Sequence, residues 1–437
     1  MDVTWTGESE PGRPYWWDGL PNLDCDAPLP ARCDLLVIGA GYTGLSAAIA
    51  AADLGASVAV VDAETPGFGA STRNGGMFGA HPRLAWDKLA ASFGPQTADA
   101  LFAEARPAQD WVEALIAREG IDCALQRTGR IQLAWTRAQF AAQGRMAGTI
   151  AAKSQVRVRL VRREDLGAEI ATERYFGGLI FEDHCGLHPA LFHRGLLAAL
   201  DRRRVPVTGG ARVTGLERGL DGFVARTPKG TIRAQKVVLA TNGYSTAPFR
   251  WHAQRVFPVP SYIIATEALS PDLIASLAPG GRMMVETRAR HSYFRVSPDG
   301  TRILFGGRAS MRQIDPVLAA ARQKRTMCEI WPELRGVRLS HSWRGNTGFS
   351  FGQMPHVGGD RGLYHAMGYS GSGTVMAPWL GAKAAWAALG DARAETAYSL
   401  TQLRRSWLQP GTTPHFLGAA DLWYRHWVDR SDNRGSR

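Results

Sequence analysis

Residues 34–62 constrain this chain more than any other stretch. Asp34-Leu35-Leu36-Val37-Ile38 is a short apolar run of the kind that makes a buried parallel strand, and Gly39-Ala40-Gly41-Tyr42-Thr43-Gly44 follows it at once. An Ala-rich helical stretch over residues 45–54 stops at Gly55. A second apolar strand over residues 57–61 then ends at Asp62. The unit is β-α-β, about 30 residues long, which is the length a right-handed crossover needs. A hydropathy scan alone could take residues 35–61 for a membrane span. Asp53 and the early glycines make strand, turn, helix, strand the better reading.

Each glycine of the triplet has a physical task. Gly39 allows the tight turn, Gly41 lets backbone approach a pyrophosphate, and Gly44 lets helix and strand pack closely. The helix that starts there aims its amide N–H groups and positive dipole end at phosphates. Asp62, followed by Ala63, is positioned to accept hydrogen bonds from a ribose. These features predict a dinucleotide site without choosing between nicotinamide and flavin. The next segment, Gly67-Phe68-Gly69-Ala70-Ser71-Thr72-Arg73-Asn74-Gly75-Gly76, has little core potential. It suits either close approach to a large planar cofactor, with Ser71 and Arg73 as phosphate or ring contacts, or a mobile surface loop.

Farther on, the pattern predicts a helical stretch over residues 89–119 and a strand over 130–135. Hairpin turns are expected at 220–222 and 228–230. An apolar strand, Lys236-Val237-Val238-Leu239, runs into the small residues Ala240 and Thr241. Strands over 262–266, 293–296 and 302–305 read as an antiparallel sheet. From Gly362 the order is strand, glycine turn, then an Ala-rich helix through Ala388. Dinucleotide-type pieces thus recur near the start, middle and end of the chain, interleaved with sheet and helix of another kind.

Composition narrows the classes. The chain has 437 residues, which suggests two or three domains. With 51 Lys+Arg against 39 Asp+Glu it carries a formal +12. Nearly all of that charge is arginine, and clusters such as Arg157, Arg159, Arg162 and Arg163 or Arg202-Arg203-Arg204 lack interleaved aromatics. They read as solvated faces, so nucleic acid is not the expected partner. Five scattered cysteines without a C-x-x-C pair speak against a disulfide framework or structural zinc and for a reducing, cytoplasmic setting. The first residues show no signal-peptide pattern. His184, Cys185 and His188 lack a further spaced ligand and read as loop packing, so no metal is expected. Trp407, Phe416, Trp423, Tyr424 and Trp427 either line a substrate entrance or pack a C-terminal segment onto the body.

With these motifs in hand the chain resembles the D-amino-acid-oxidase-like (DAO) family of FAD-dependent amine oxidoreductases, and within it the gamma-glutamylputrescine oxidase type. The residues that carry the likeness are Val37 to Gly44, Asp62-Ala63-Glu64, Gly67 to Gly76, Val237 to Tyr244, Phe305-Gly306-Gly307-Arg308, Met354 to Gly358 and Gly368 to Gly373. The resemblance implies a Rossmann-like FAD domain combined with an antiparallel-sheet substrate domain (α/β plus α+β). The FAD domain would comprise residues 30–85, 187–250 and 343–395, and the substrate domain 86–186 and 251–342. Residues 396–437 would form a C-terminal segment packed on the body. It further implies Val213, Ala240 and Thr241 along the cofactor, and Gly371, Ser372, Gly373 and Thr374 at the flavin pyrimidine edge. Asp62 stands where the family usually has Glu, and Ser372 where many relatives have His. No Cys between Trp343 and Gly358 and no His beside Arg73 offers covalent attachment, so non-covalent FAD is expected.

The expected function is oxidation of an amine C–N bond, with or without a carboxylate or phosphonate on the substrate, and with molecular oxygen as acceptor. A dehydrogenase using another acceptor and a tRNA-modifying flavoprotein are the alternatives. Relatives that oxidise α-amino acids carry a carboxylate-clamping Arg where this chain has Thr347. Simple α-amino acids are therefore expected to be poor substrates. Arg308 is the first candidate clamp, with Arg73 and Arg295 behind it, and Tyr293 completes the candidate catalytic set with Arg308 and Arg295.

Overall fold

The computed structural model describes residues 3–23 and 25–428. Leu35 to Ile38 have only apolar side chains, and they fold as the buried part of strand β1 (Arg32–Ile38). β1 lies between β2 (Val58–Val61) and the strand Gly230–Leu239, and both pairings are parallel. The sheet runs His356–Asp360, Leu363–Met367, Gly230–Leu239, β1, β2, Val207–Thr208. Two hairpin strands, Gly222–Thr227 and Gly215–Gly219, hang from Gly230–Leu239. The middle and end pieces of the chain thus join the first β-α-β unit in one sheet.

Helix α1 (Tyr42–Ala52) is buried at every position but the last, because the sheet covers one side and the helix Gly373–Leu389 the other. The two helices cross at backbone contact. A β-carbon on Gly381 would collide with the Thr43 carbonyl. Thr43 Oγ1 and Tyr369 OH lie 2.8 Å apart, and Ser46 Oγ donates to the Pro378 carbonyl at 2.8 Å. Small residues and hydroxyls at this crossing therefore hold two helix N-termini side by side.

The second sheet runs Leu339–Ser350, Val256–Thr266, Ile303–Gly307, Ser292–Val296, Met283–Glu286, Arg130–Leu133, Gly177–Phe181, Val158–Arg162. It is antiparallel except where Met283–Glu286 meets Arg130–Leu133 in parallel. Strand alternation divides its faces. Ile131, Leu133, Met284 and Phe294 enter an apolar core, whereas Arg130, Gln132, Val285 and Tyr293 line a cavity.

The helical stretch expected over 89–119 is three helices, Trp86–Phe93, Pro95–Ala103 and Ala105–Arg118. Gly94, at φ +87°, ends the first, and Pro95 starts the second where its missing N–H costs nothing. The third packs in the same core as α1, with the Trp111 ring 5.6 Å from Trp379 and 5.8 Å from Trp386.

The arginine clusters face acids rather than open solvent alone. Arg157 pairs with Asp183 at 2.5 Å, and Arg159 with Glu182 at 3.0 Å. Arg202 and Arg203 close on Glu119 at 2.8 and 2.7 Å, with Arg118 at 3.0 Å. The Glu119 carboxyl is buried, which alone would raise its pKa, but hydrogen bonds from the three guanidiniums pull it down to about 2. Its stabilising contribution is complete above the ordinary carboxylate range and is lost as pH falls toward 2. Glu119→Gln is expected to lower the melting temperature by a few degrees at neutral pH. The difference from wild type should shrink on acidification, and melting curves from pH 7 down to pH 3 check it; an equal difference at both ends would contradict it.

No helix among the described residues is long and apolar enough to cross a membrane. At the C-terminal end, Phe416 and Leu417 pack with Phe257 and Phe349, whereas Trp407 is 87% exposed and Trp423 stacks on the exposed Trp427. The packing expectation thus holds for Phe416 and Tyr424, which lie against this cluster, and not for the exposed Trp407, Trp423 and Trp427. Residues 429–437 of the expected C-terminal segment lie outside the described residues.

Candidate active site

Two adjoining cavities open between the sheets. The first, of 450 Å³, begins at the glycine turn with Gly39, Gly41, Tyr42 and Thr43. Asp62 and Ala63 at the end of β2 line it, as do Ala70, Ser71 and Asn74 of the small-residue loop. Val213, Ala240 and Thr241 come from the middle of the chain, and Gly371, Gly373 and Thr374 from its end. Gly44 lies outside it, where a β-carbon would collide with the Gly39 carbonyl. Its part is to let α1 pack on β1.

This cradle fits a dinucleotide on the structure's own terms. Neither N-cap residue, Gly41 nor Ser372, caps its helix with its own side chain, so the N-termini of α1 and the helix Gly373–Leu389 face the cavity and, among the described residues, only the Tyr42 amide is taken, by Ser71 Oγ at 3.0 Å. Gly39, at φ +108°, has no room for a β-carbon, which would sit 2.9 Å from the Ala240 carbonyl. Asp62 Oδ2 accepts from the Ala40 amide at 2.7 Å, and Oδ1 from the Glu64 amide at 2.9 Å. Those bonds fix the carboxylate's direction, while burial pushes its pKa up. The loop is tied rather than mobile. Asn74 donates to the Ala70 and Ser71 carbonyls, and the indoles of Trp16 and Trp343 donate to the Asn74 and Arg73 carbonyls.

The second cavity, of 490 Å³, shares Ala70, Asn74, Thr347, Gly371 and Thr374 with the first. Arg73, Gly75, Ser372, Tyr293 and Arg308 line this one alone. The Tyr293 hydroxyl lies 2.9 Å from Ser261 Oγ, and burial pushes its pKa up to about 12, so it stays protonated. Arg308 stacks over Phe349 at 4.7 Å, and Arg83 over the same ring at 5.2 Å. Burial and the neighbouring Arg83 bring the Arg308 pKa down to about 10, which still leaves it charged at neutral pH.

Besides Gly44, three expected residues lie elsewhere or face away. Arg295 lines neither cavity. Its guanidinium donates to the Gly76 carbonyl at 2.9 Å, the Leu187 carbonyl at 3.2 Å and Gln126 at 2.8 Å, so it ties loop to sheet rather than touching substrate. Gly76 also lines neither cavity, being wedged against the Leu187 carbonyl. Arg73 reaches the second cavity, but its guanidinium lies between the Trp17 and Phe68 rings at 4.5 and 4.7 Å and donates to the Phe68 carbonyl. It is committed to the loop and is not available as a phosphate contact or a clamp.

Sequence reasoning missed much of the second cavity. Arg83, Arg130, Arg288 and His291 line it with Arg308, and Glu286 is the one acid among its lining residues. Glu286 is taken by Arg288 at 2.6 Å. Burial and the surrounding Arg308, Arg83, Arg130 and Arg288 push His291 down to about 3, so it is neutral in a cationic chamber. These residues come from four separate segments and form no motif in the sequence. Among the missed residues, only Arg130 lay in a segment that the sequence marked as a strand, 130–135.

The family model for FAD-dependent oxidoreductases of the DAO type matches residues 34–386, which is most of the chain. The chain belongs to this family. Among its DAO relatives, it is 30% identical to gamma-glutamylputrescine oxidoreductase of Escherichia coli over 374 residues, covering 84% of this chain and 86% of that one. It is 29% identical to the probable oxidoreductase OrdL of Rhizobium meliloti, over 89% of this chain and 91% of the relative. Glycine oxidase from Geobacillus kaustophilus superposes with a TM-score of 0.72 at 20% identity, covering 86% of this chain and all of that one. The likeness to that structure speaks for the fold. The protein is a DAO-family, FAD-dependent oxidoreductase.

Proposed function

We propose that this oxidoreductase oxidises the C–N bond of a primary or secondary amine that carries an acidic group. The product is an imine, which water hydrolyses to a carbonyl compound and ammonia or an amine, and molecular oxygen takes the electrons to give hydrogen peroxide. The observation that carries this reading is Arg308. It is a charged guanidinium in the second cavity beside Arg83, and neither has a carboxylate partner among the described residues. A buried charge without a counter-ion is costly, and an anionic substrate group would supply one.

The residues named for the first cavity would hold FAD non-covalently. The helix N-termini would meet its phosphates and Asp62 its ribose. Bound FAD supplies the two-electron acceptor. The chain's own side chains then orient the amine: Arg308 and Arg83 fix its anionic end, and the protonated Tyr293 hydroxyl, held by Ser261, offers a hydrogen bond in the same cavity. The clustered guanidiniums disfavour a further positive charge, so the amine is held in its neutral form without a dedicated base. His291 is too weakly basic to serve as one. Thr347 supports the exclusion of simple α-amino acids, since it puts a hydroxyl rather than a guanidinium on the wall shared by both cavities.

The purified protein is expected to be yellow and to release free FAD on heating or acid treatment; flavin that stays with the precipitated chain would overturn the non-covalent reading. Peroxide release is then measured across glycine, D-alanine, sarcosine, diamines, N-alkylamines and amines bearing carboxylate or phosphonate. Acidic amines other than simple α-amino acids should show the highest kcat/KM. A best rate on glycine or D-alanine would refute the substrate class, and bleaching of the flavin without peroxide would refute oxygen as acceptor.

A further inference from the structure

A second polar cluster lies in the same cavity. Arg130, His81 and His184 all pack on Phe181, with the Arg130 guanidinium 4.7 Å from the ring and the two imidazoles at 4.7 and 4.8 Å. Arg130 and Gln132 are two apart on one strand and so share its cavity face. None of these residues lines the first cavity.

The cluster is incomplete as a hydrogen-bonded unit. Arg130 Nε, His81 Nδ1, Gln132 Oε1 and His184 Nε2 are buried without a partner, and His184 is 1% exposed. Buried polar atoms are normally paired, and four unpaired ones on one cavity wall point to a missing ligand. The sign of that ligand follows from the chemistry. Arg130 Nη2 lies 3.3 Å from His81 Nε2, and a guanidinium only donates, so Nε2 accepts. Burial and Arg130 keep His81 neutral, so its proton sits on Nδ1 as a buried, unused donor. Arg130 has no carboxylate partner among the described residues. A permanent positive charge, a free imidazole N–H and an aromatic platform together suit a carboxylate.

We propose that the Phe181 cluster is a second anion subsite, and that the substrate is an amine bearing two separated carboxylates, one held by Arg308 and Arg83 and the other by Arg130 and His81. This rests on the acid-clamp reading given above for Arg308 and adds a distal recognition point to it. The carboxamide of Gln132 beside Arg130 would accept from a neighbouring N–H or O–H of the same ligand.

Calorimetric titration of the FAD-loaded enzyme tests it without turnover. The probes are linear dicarboxylates from malonate to pimelate and monocarboxylates of matched chain length. In the wild type the best-fitting dicarboxylate should bind about 10- to 100-fold more tightly than its matched monoacid, the gain of one charge-assisted hydrogen-bonded pair. Arg130→Gln should erase that advantage, bringing the dicarboxylate to the affinity of its matched monoacid in the same variant, with flavin content and melting temperature reporting on folding. Arg130→Lys should retain part of the advantage. Equal wild-type affinity for mono- and dicarboxylates would overturn the second subsite and needs no variant. So would a dicarboxylate advantage that survives Arg130→Gln in a folded, flavin-loaded enzyme. The clamp reading fails separately: it falls if Arg308→Gln leaves monoacid affinity unchanged, whatever Arg130→Gln does.

Discussion

Gly41→Val is expected to yield a folded but colourless protein. A β-carbon at Gly41 would already stand 2.8 Å from Ser71 Oγ, and valine adds two methyl groups beyond it. Ser71 Oγ also accepts the Tyr42 amide at 3.0 Å, so pushing it aside disturbs the helix N-terminus as well as filling the space a pyrophosphate would need. The flavin-to-protein absorbance ratio should fall to background, and added FAD should not restore it. Asp62→Ala is the milder companion, weakening FAD binding by about 1–3 kcal/mol, the usual effect of losing a charge-assisted hydrogen bond. Titration of apoprotein with FAD measures both. A Gly41→Val protein with full flavin content would remove the basis for placing the cofactor there.

The second large effect is expected at Arg308. Truncating one member of a buried, hydrogen-bonded charge pair typically costs about 2–5 kcal/mol, so Arg308→Gln should lower kcat/KM on acidic amines by about 30- to several-thousand-fold. Neutral amines of similar length should lose far less, because they make no pair with the guanidinium. Arg83 stands over the same Phe349 ring and would retain part of the pairing, which sets the lower end of the range. Equal loss on neutral and acidic amines would show that Arg308 supports the cavity wall and does not read charge. Arg295→Gln gives the contrast. Its bonds to Gly76, Leu187 and Gln126 predict loss of stability and of loop order, without a change in the preference for acidic over neutral amines.

The cofactor side was legible in the sequence because its signals are contiguous. A strand, three glycines at fixed offsets, a helix and an acid lie within 29 residues, 34–62, and backbone geometry makes that order nearly self-explanatory. The hairpin turns were equally local. The break at Gly94-Pro95 could have been read from the same kind of signal, since a glycine followed by proline punctuates a helix. Arg73 and Arg295 show where local reading ends. Both are arginines in segments that border the site, yet tertiary partners turn one guanidinium between two aromatic rings and sink the other among backbone carbonyls.

The sequence by itself determined the family, the nucleotide-binding unit and the interleaving of its three segments, because these depend on backbone conformation and on near neighbours in the chain. Only the tertiary structure decided what the second cavity reads. Arg83, Arg130, His291 and Arg308 are spread over more than two hundred residues and carry no common spacing. They become one cationic chamber when the second sheet turns Arg130 to its cavity face and sets beside it the strand ends that carry His291 and Arg308, with the loop that carries Arg83 on the same cavity. An unpaired charge or an orphaned nitrogen is a property of what surrounds an atom, and that surrounding exists only once the chain has folded.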